Sequence, residues 1–146
     1  MPALHAACVA LDGAGVLIRG PSGAGKSCLA LLLAAAEDGA LVGDDRVICE
    51  GRAGRLSARA HPALAGQVEI RGQGILSAAD LGIATRPDAI VHLVVDLVAS
   101  SPRLPEPPAD AEILGIRLPR LVLDPGVRAA GLAPLLVRAA LRKQRP

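Results

Sequence analysis

The chain runs as short apolar stretches broken by turn residues, and most stretches carry a recognisable period. Cys8 to Leu11 reads as a short strand, Asp12-Gly13-Ala14-Gly15 as its hairpin turn, and Val16 to Arg19 as the strand that follows. Ser27 to Ala36 reads as a helix closed around Glu37-Asp38-Gly39, and Ala40-Leu41-Val42-Gly43 as a buried strand whose end presents Asp44 and Asp45. Val47 to Glu50 and Leu56 to Arg59 flank Gly51-Arg52-Ala53-Gly54, a second hairpin signal, so antiparallel strands extend the sheet. His61 to Gly66 is a loop or short turn. Val68 to Gly72 alternates as a strand with Glu69 and Arg71 on one face. Ile90 to Leu97 is the clearest central strand. The proline-rich stretch Pro102 to Pro108 is confined to a loop or edge segment. Leu118 to Leu123 reads as a last strand, Asp124-Pro125-Gly126 as a turn, and Ala130 to Lys143 as a closing helix whose Arg138, Arg142 and Lys143 complement its C-terminal dipole.

Between the second strand and the first helix lies Gly20-Pro21-Ser22-Gly23-Ala24-Gly25-Lys26-Ser27, a phosphate-binding loop in strand-loop-helix context. Its glycines let successive backbone N–H groups turn inward around a phosphate, and the N-terminus of the helix adds its dipole and unsatisfied donors. Lys26 would bridge the β- and γ-phosphates of a nucleoside triphosphate, and the Ser27 hydroxyl would complete a Mg2+ shell. A G-x4-G-K-[ST] match arises by chance in roughly one chain of this length in a hundred, fewer in this setting. The order of loop, helix, strand and acidic pair predicts an α/β, P-loop-containing catalytic domain with a central mixed sheet, an antiparallel extension and flanking helices. Residues 1–146 form that single domain; no repeat or boundary interrupts them.

Composition narrows the ligand. The net charge is +2, the basic residues other than Lys26 and Lys143 are all Arg, and the chain has no aromatic residue. Stacking platforms for single-stranded nucleic acid are therefore absent, and nucleic acid is excluded as a partner. An adenine base would rest on aliphatic or Arg surfaces, which favours a site that grips phosphates hard and the base loosely. Cys8, Cys28 and Cys49 show neither metal-ligand spacing nor a C-x-x-C pair and read as thiols of a reducing cytoplasm, Cys28 as a small filler of a helix face. The start Met1-Pro2-Ala3-Leu4-His5 lacks the charged-then-apolar order of a signal peptide, and the apolar run Leu29 to Ala36 is far too short to span a membrane, so the expectation is a cytoplasmic protein without membrane contact.

Several side chains could do chemistry around such a loop. Asp44 and Asp45 close a strand expected to lie next to the one feeding the loop; from there one carboxylate can hold Mg2+ directly or through water while the other orients or deprotonates a nucleophile. Arg71 and Arg103 stand where a strand gives way to a loop and could add positive charge near a γ-phosphate. Glu69 is a second metal-side carboxylate or a strand residue facing water. Asp96, late in the central strand, competes with the Asp pair for the metal-side role. By spacing alone His5 is a terminal surface residue, His92 a core or sheet-edge histidine, and His61 uninformative.

Taken together, four segments resemble the catalytic domain of the HPr kinase/phosphorylase family, in a short form without the N-terminal domain of longer members. They are His5 before the first strand, the loop from Gly20 to Ser27, Leu41-Val42-Gly43-Asp44-Asp45-Arg46-Val47, and Val68-Glu69-Ile70-Arg71-Gly72-Gln73-Gly74-Ile75. The resemblance implies an ATP- and Mg2+-dependent serine kinase acting on HPr, a small phosphocarrier protein, with phosphorolysis of seryl-phosphate to pyrophosphate as the reverse activity. It implies Asp44 as general base, Asp45 and His5 as groups that tune and orient it, Ser27 and Glu69 as Mg2+ ligands, and Lys26 as the neutraliser of transferring charge. It makes Arg71 part of the segment shared by both activities and Arg103 a counterpart of the family's arginine beyond the central strand. It further implies a homo-oligomer of unspecified size. Leu123-Asp124-Pro125-Gly126-Val127-Arg128 resembles the family's late Pro-Gly loop, with Asp124 in place of the usual basic residue and Val127-Arg128 in place of Arg-Asn. A small-molecule kinase or ATPase, and a nucleotide-sensing protein without transfer activity, are the competing readings.

Overall fold

The computed structural model describes residues 2–101 and 106–144. The strands are β1 (Ala3–Leu4), β2 (Ala6–Leu11), β3 (Ala14–Arg19), β4 (Gly39–Gly43), β5 (Val47–Arg52), β6 (Arg55–Ala60), β7 (Gln67–Ile70), β8 (Gly74–Ser77), β9 (Asp88–Leu97), β10 (Ala111–Ile113), β11 (Ile116–Leu118) and β12 (Arg120–Leu123). The helices are α1 (Lys26–Ala34), α2 (Pro125–Ala129) and α3 (Ala133–Lys143), with one 3-10 turn at Pro62–Leu64. Asp12 and Gly13, both at positive φ, make the two-residue turn that pairs β2 with β3.

The main sheet has the order β1-β5-β6-β9-β3-β2-β4, with β12 also on β9. It is mixed: β3 and β12 run parallel to β9, and the other pairs are antiparallel. β2 is buried along its whole length, because both faces of the sheet are covered there. One face packs Val9, Val16 and Ile18 against Leu29 and Leu33 of α1 and Val137 and Leu141 of α3. The opposite face gathers Cys8, Leu17, Val47, Cys49, Leu56 and Val94 beneath the β10–β11 hairpin. The sheet curls around this second core. A Cβ on Gly43, at the end of β4, would lie 3.0 Å from the Ala60 Cα at the end of β6, although three strands separate the two in sheet order. Only glycine lets the two ends meet so closely.

Several details differ from the sequence expectation. The neighbour of β4 is β2, not β3, so Asp44 and Asp45 reach the loop across the sheet's curl rather than from the adjacent strand. Pro119 divides the expected Leu118–Leu123 strand, ending β11 and letting β12 turn onto β9. Asp124-Pro125-Gly126 opens helix α2 rather than a simple turn, with Asp124 Oδ1 accepting the Val127 N–H at 2.9 Å. The closing helix begins at Ala133, after Gly131 takes a positive φ of 76°. The β8 strand and the β10–β11 hairpin had no expected counterpart. No helix among the described residues is long and apolar enough to cross a membrane.

Candidate active site

The loop leaves β3 at Gly20 and enters α1 at Lys26. Gly20 is packed hard on β9: a Cβ there would lie 3.0 Å from both the Cβ and the carbonyl oxygen of Leu97. Gly23 and Gly25 hold φ values of 81° and 97°, and open space lies where their side chains would be. Lys26 Nζ donates to the Gly20 carbonyl at 2.7 Å and the Pro21 carbonyl at 3.1 Å, so the amino group is folded over the mouth of its own loop.

The next residue joins the loop to the acidic pair. Ser27 Oγ donates to the carboxylate of Asp44 at 2.9 Å. Asp44 is only 4% exposed, and burial pushes its carboxyl above the ordinary value. The Ser27 hydroxyl and the backbone N–H groups of Asp45 and Glu69 pull the other way, while the Asp45 carboxylate adds to the rise. Asp45 takes a φ of 66°, uncommon for a residue with a side chain, inside a tight turn closed by the Arg46 N–H on the Asp44 carbonyl at 2.7 Å. That turn separates the two carboxylates, one buried and one open to solvent. His5 Nδ1 stands 4.0 Å from Asp45 Oδ1, with both side chains exposed.

The geometry thus brings together Lys26, Ser27, Asp44, Asp45 and His5. Glu69 arrives through its backbone, since β7 packs against α1 and aims that N–H at Asp44; its side chain is exposed. Arg71 lies exposed in the turn between β7 and β8, two residues further on. Arg103 lies outside the described residues. Asp96 does not compete for a cation. Its two oxygens are taken by Arg19 and Arg120, and although burial alone would raise its carboxyl, the two guanidiniums hold it below the ordinary value. Neither arginine stood out in the sequence; the available signal was an aspartate inside an apolar strand, which needs a cationic partner. His92 is exposed at a register shift between β9 and β3 rather than in the core.

The late Pro-Gly segment is occupied structurally. Asp124 Oδ2 accepts the Ser101 hydroxyl at 2.7 Å, and Arg128 Nη1 donates to the Leu123 and Val98 carbonyls at the ends of β12 and β9. Cys8 and Cys49 are buried, and burial raises both thiols, Cys49 to about 11. Cys28, expected to fill a helix face, is exposed beside Ser27 at the head of α1.

A mixed-sheet α/β domain whose glycine-rich loop meets a buried aspartate, held by a half-buried serine at a helix start, defines the class. Residues 1–145 match the HPr Serine kinase C-terminal domain, and the chain belongs to that family. It is 36% identical over 123 residues to the HPr kinase/phosphorylase of Mycoplasma mycoides subsp. mycoides, covering 78% of this chain and 39% of that protein. It is 38% identical over 155 residues to the HPr kinase/phosphorylase of Azoarcus sp., covering 95% of this chain and 46% of that protein. The chain therefore spans less than half the length of these relatives. The solved Hpr(Ser) kinase/phosphatase of Coxiella burnetii superposes with a TM-score of 0.81 at 31% identity, covering 99% of this chain and 91% of that one.

Proposed function

We propose that this domain transfers the γ-phosphoryl group of ATP to a serine of an HPr-like phosphocarrier protein, and that the same site runs the reverse transfer to inorganic phosphate. The observation that carries the reading is the Ser27–Asp44 pair at the loop's exit: a buried carboxylate, raised by desolvation, hydrogen-bonded to the residue that follows the loop lysine. A general base works best when its pKa is lifted toward the working pH.

The residues suit ATP and Mg2+. The open cradle at Gly23 and Gly25 suits a phosphate, and the Ser27 hydroxyl is a hard oxygen donor of the kind Mg2+ takes, with the Glu69 carboxylate and phosphate oxygens supplying further ligands. When bound, Mg2+ would neutralise charge on the phosphates. Lys26 would leave the loop carbonyls for the nucleotide's terminal phosphates. Asp44 would take the proton of the acceptor hydroxyl in the forward direction and return it in the reverse. Asp45, with His5 beside it, would bias and orient Asp44. Glu69 as a second Mg2+ ligand, and Arg71 and Arg103 as charge-stabilising groups, belong to the same proposal. So does assembly into a homo-oligomer in the cytoplasm.

Transfer of labelled γ-phosphate from ATP to purified HPr tests the reading, with wild type and Asp44→Asn under one Mg2+ condition. Label on an HPr serine that the variant fails to place supports it. Tight ATP binding with no transfer by wild type would redirect it to another acceptor or to a nucleotide sensor.

A further inference from the structure

Arg19 is the last residue of β3 and stands directly before Gly20, where the loop begins. Its Nε and Nη2 donate to the two oxygens of Asp96, each at 2.8 Å, a two-pronged bond between neighbouring parallel strands. Arg120, which opens β12, donates its Nε to Oδ2 of the same carboxylate. One side chain therefore ties β3, β9 and β12 together beside the loop's entry. The contacts continue inward: Gly20 abuts Leu97, the neighbour of Asp96, and the Gly20 carbonyl accepts from Lys26.

We infer that Asp96 is a positioning residue for the glycine-rich loop: by clamping Arg19 it sets the direction in which the chain leaves β3 and, through Gly20, the place of Lys26. The inference rests on the reading of that loop as a nucleotide site. Charge and position pull in opposite directions here. Removing the negative charge of Asp96 would by Coulomb attraction alone tighten the binding of an anionic nucleotide. Loosening the loop would weaken it.

Calorimetric titration of ATP with Mg2+ into wild type, Asp96→Asn, Arg19→Lys and the double variant separates the two. Arg19→Lys keeps the charge but cannot form the two-pronged bond. Each single variant is expected to bind ATP about tenfold more weakly. The double variant should be no weaker than the worse single one, because Arg19→Lys adds nothing once Asp96→Asn has removed the carboxylate that holds both Arg19 and Arg120. In the nucleotide-free protein, hydrogen exchange at Gly23 to Lys26 should accelerate while the β5–β6 hairpin is unchanged. Unchanged or tighter binding by folded Asp96→Asn overturns the clamp, as does a lowered melting temperature with unchanged affinity. If Asp96→Asn does not fold, Arg19→Lys decides the matter by the same criteria. Failure of wild type to bind ATP overturns the nucleotide reading itself, and the clamp's role with it.

Discussion

Asp44 and Asp96 are the two buried charged residues among those described, and their surroundings push them in opposite directions. Asp44 meets a hydroxyl, backbone N–H groups and another carboxylate, and no full positive charge offsets its burial. Asp96 meets two guanidiniums that outweigh its burial. Burial alone therefore does not mark a reactive carboxylate. An acid that lacks a cation in its resting state has its proton affinity raised and keeps oxygen lone pairs for chemistry, whereas one saturated by arginine is locked in its ionised form.

Substitution of the two residues should break this symmetry most sharply. Asp44→Asn is expected to lower phosphoryl transfer by about a hundredfold or more, the range for loss of a general base, while the protein's stability changes by no more than about 1 kcal/mol. Labelled transfer and chemical denaturation check the two halves separately. Asp96→Ala should cost about 2 kcal/mol of stability, below the value for a fully buried pair because the guanidiniums are about one-third exposed. Urea melts read this directly, and a cost near zero would mean that solvent already screens the clamp.

The pH dependence of stability sharpens the contrast. The lowered Asp96 contributes stability above the unfolded value of about 3.9 and loses it as pH falls through its folded value. The raised Asp44 does the reverse: its contribution is present below about 3.9 and lost as pH rises through its folded value. Wild type minus Asp96→Asn should thus grow with pH across the acid range, while wild type minus Asp44→Asn should shrink. The smallest effect on stability is expected from Ser27→Ala. It removes one hydrogen bond, worth about 1 kcal/mol, and because the hydroxyl lowers the Asp44 carboxyl, its loss should move that titration further upward. A carboxyl-selective NMR titration would detect the shift, and a downward movement would contradict the assigned role of the hydroxyl.

The fold was legible in the sequence wherever local chemistry decides it. The hairpin at Asp12-Gly13 was named, although Ala14 and Gly15, read as part of the turn, already belong to β3; the apolar run from Ile90 named the central strand, and the glycines with Lys26 named a loop before a helix. Placement across the sheet was not legible. Whether β4 sits beside β2 or β3 depends on the curl that brings Gly43 onto Ala60, a long-range fit with no local signature. The β10–β11 hairpin escaped for a related reason: its strands are three residues each, too short for a period to emerge. In the candidate site, the nearness of Ser27 to the acidic pair was readable from the order of loop, helix, strand and acidic pair. The occupation of Asp96 was not, because Arg19 and Arg120 look like any other arginines until the strands align.

The three thiols differ in access in a way that has a practical consequence. With Cys8 and Cys49 sealed in the core and Cys28 exposed beside Ser27, a maleimide dye should attach at the head of α1 alone. The chain carries no tryptophan or tyrosine, so such a dye would report against a dark background. The protein thus comes with a single-site optical handle at the rim of the loop, suited to following ligand arrival in real time without engineering a cysteine-free parent.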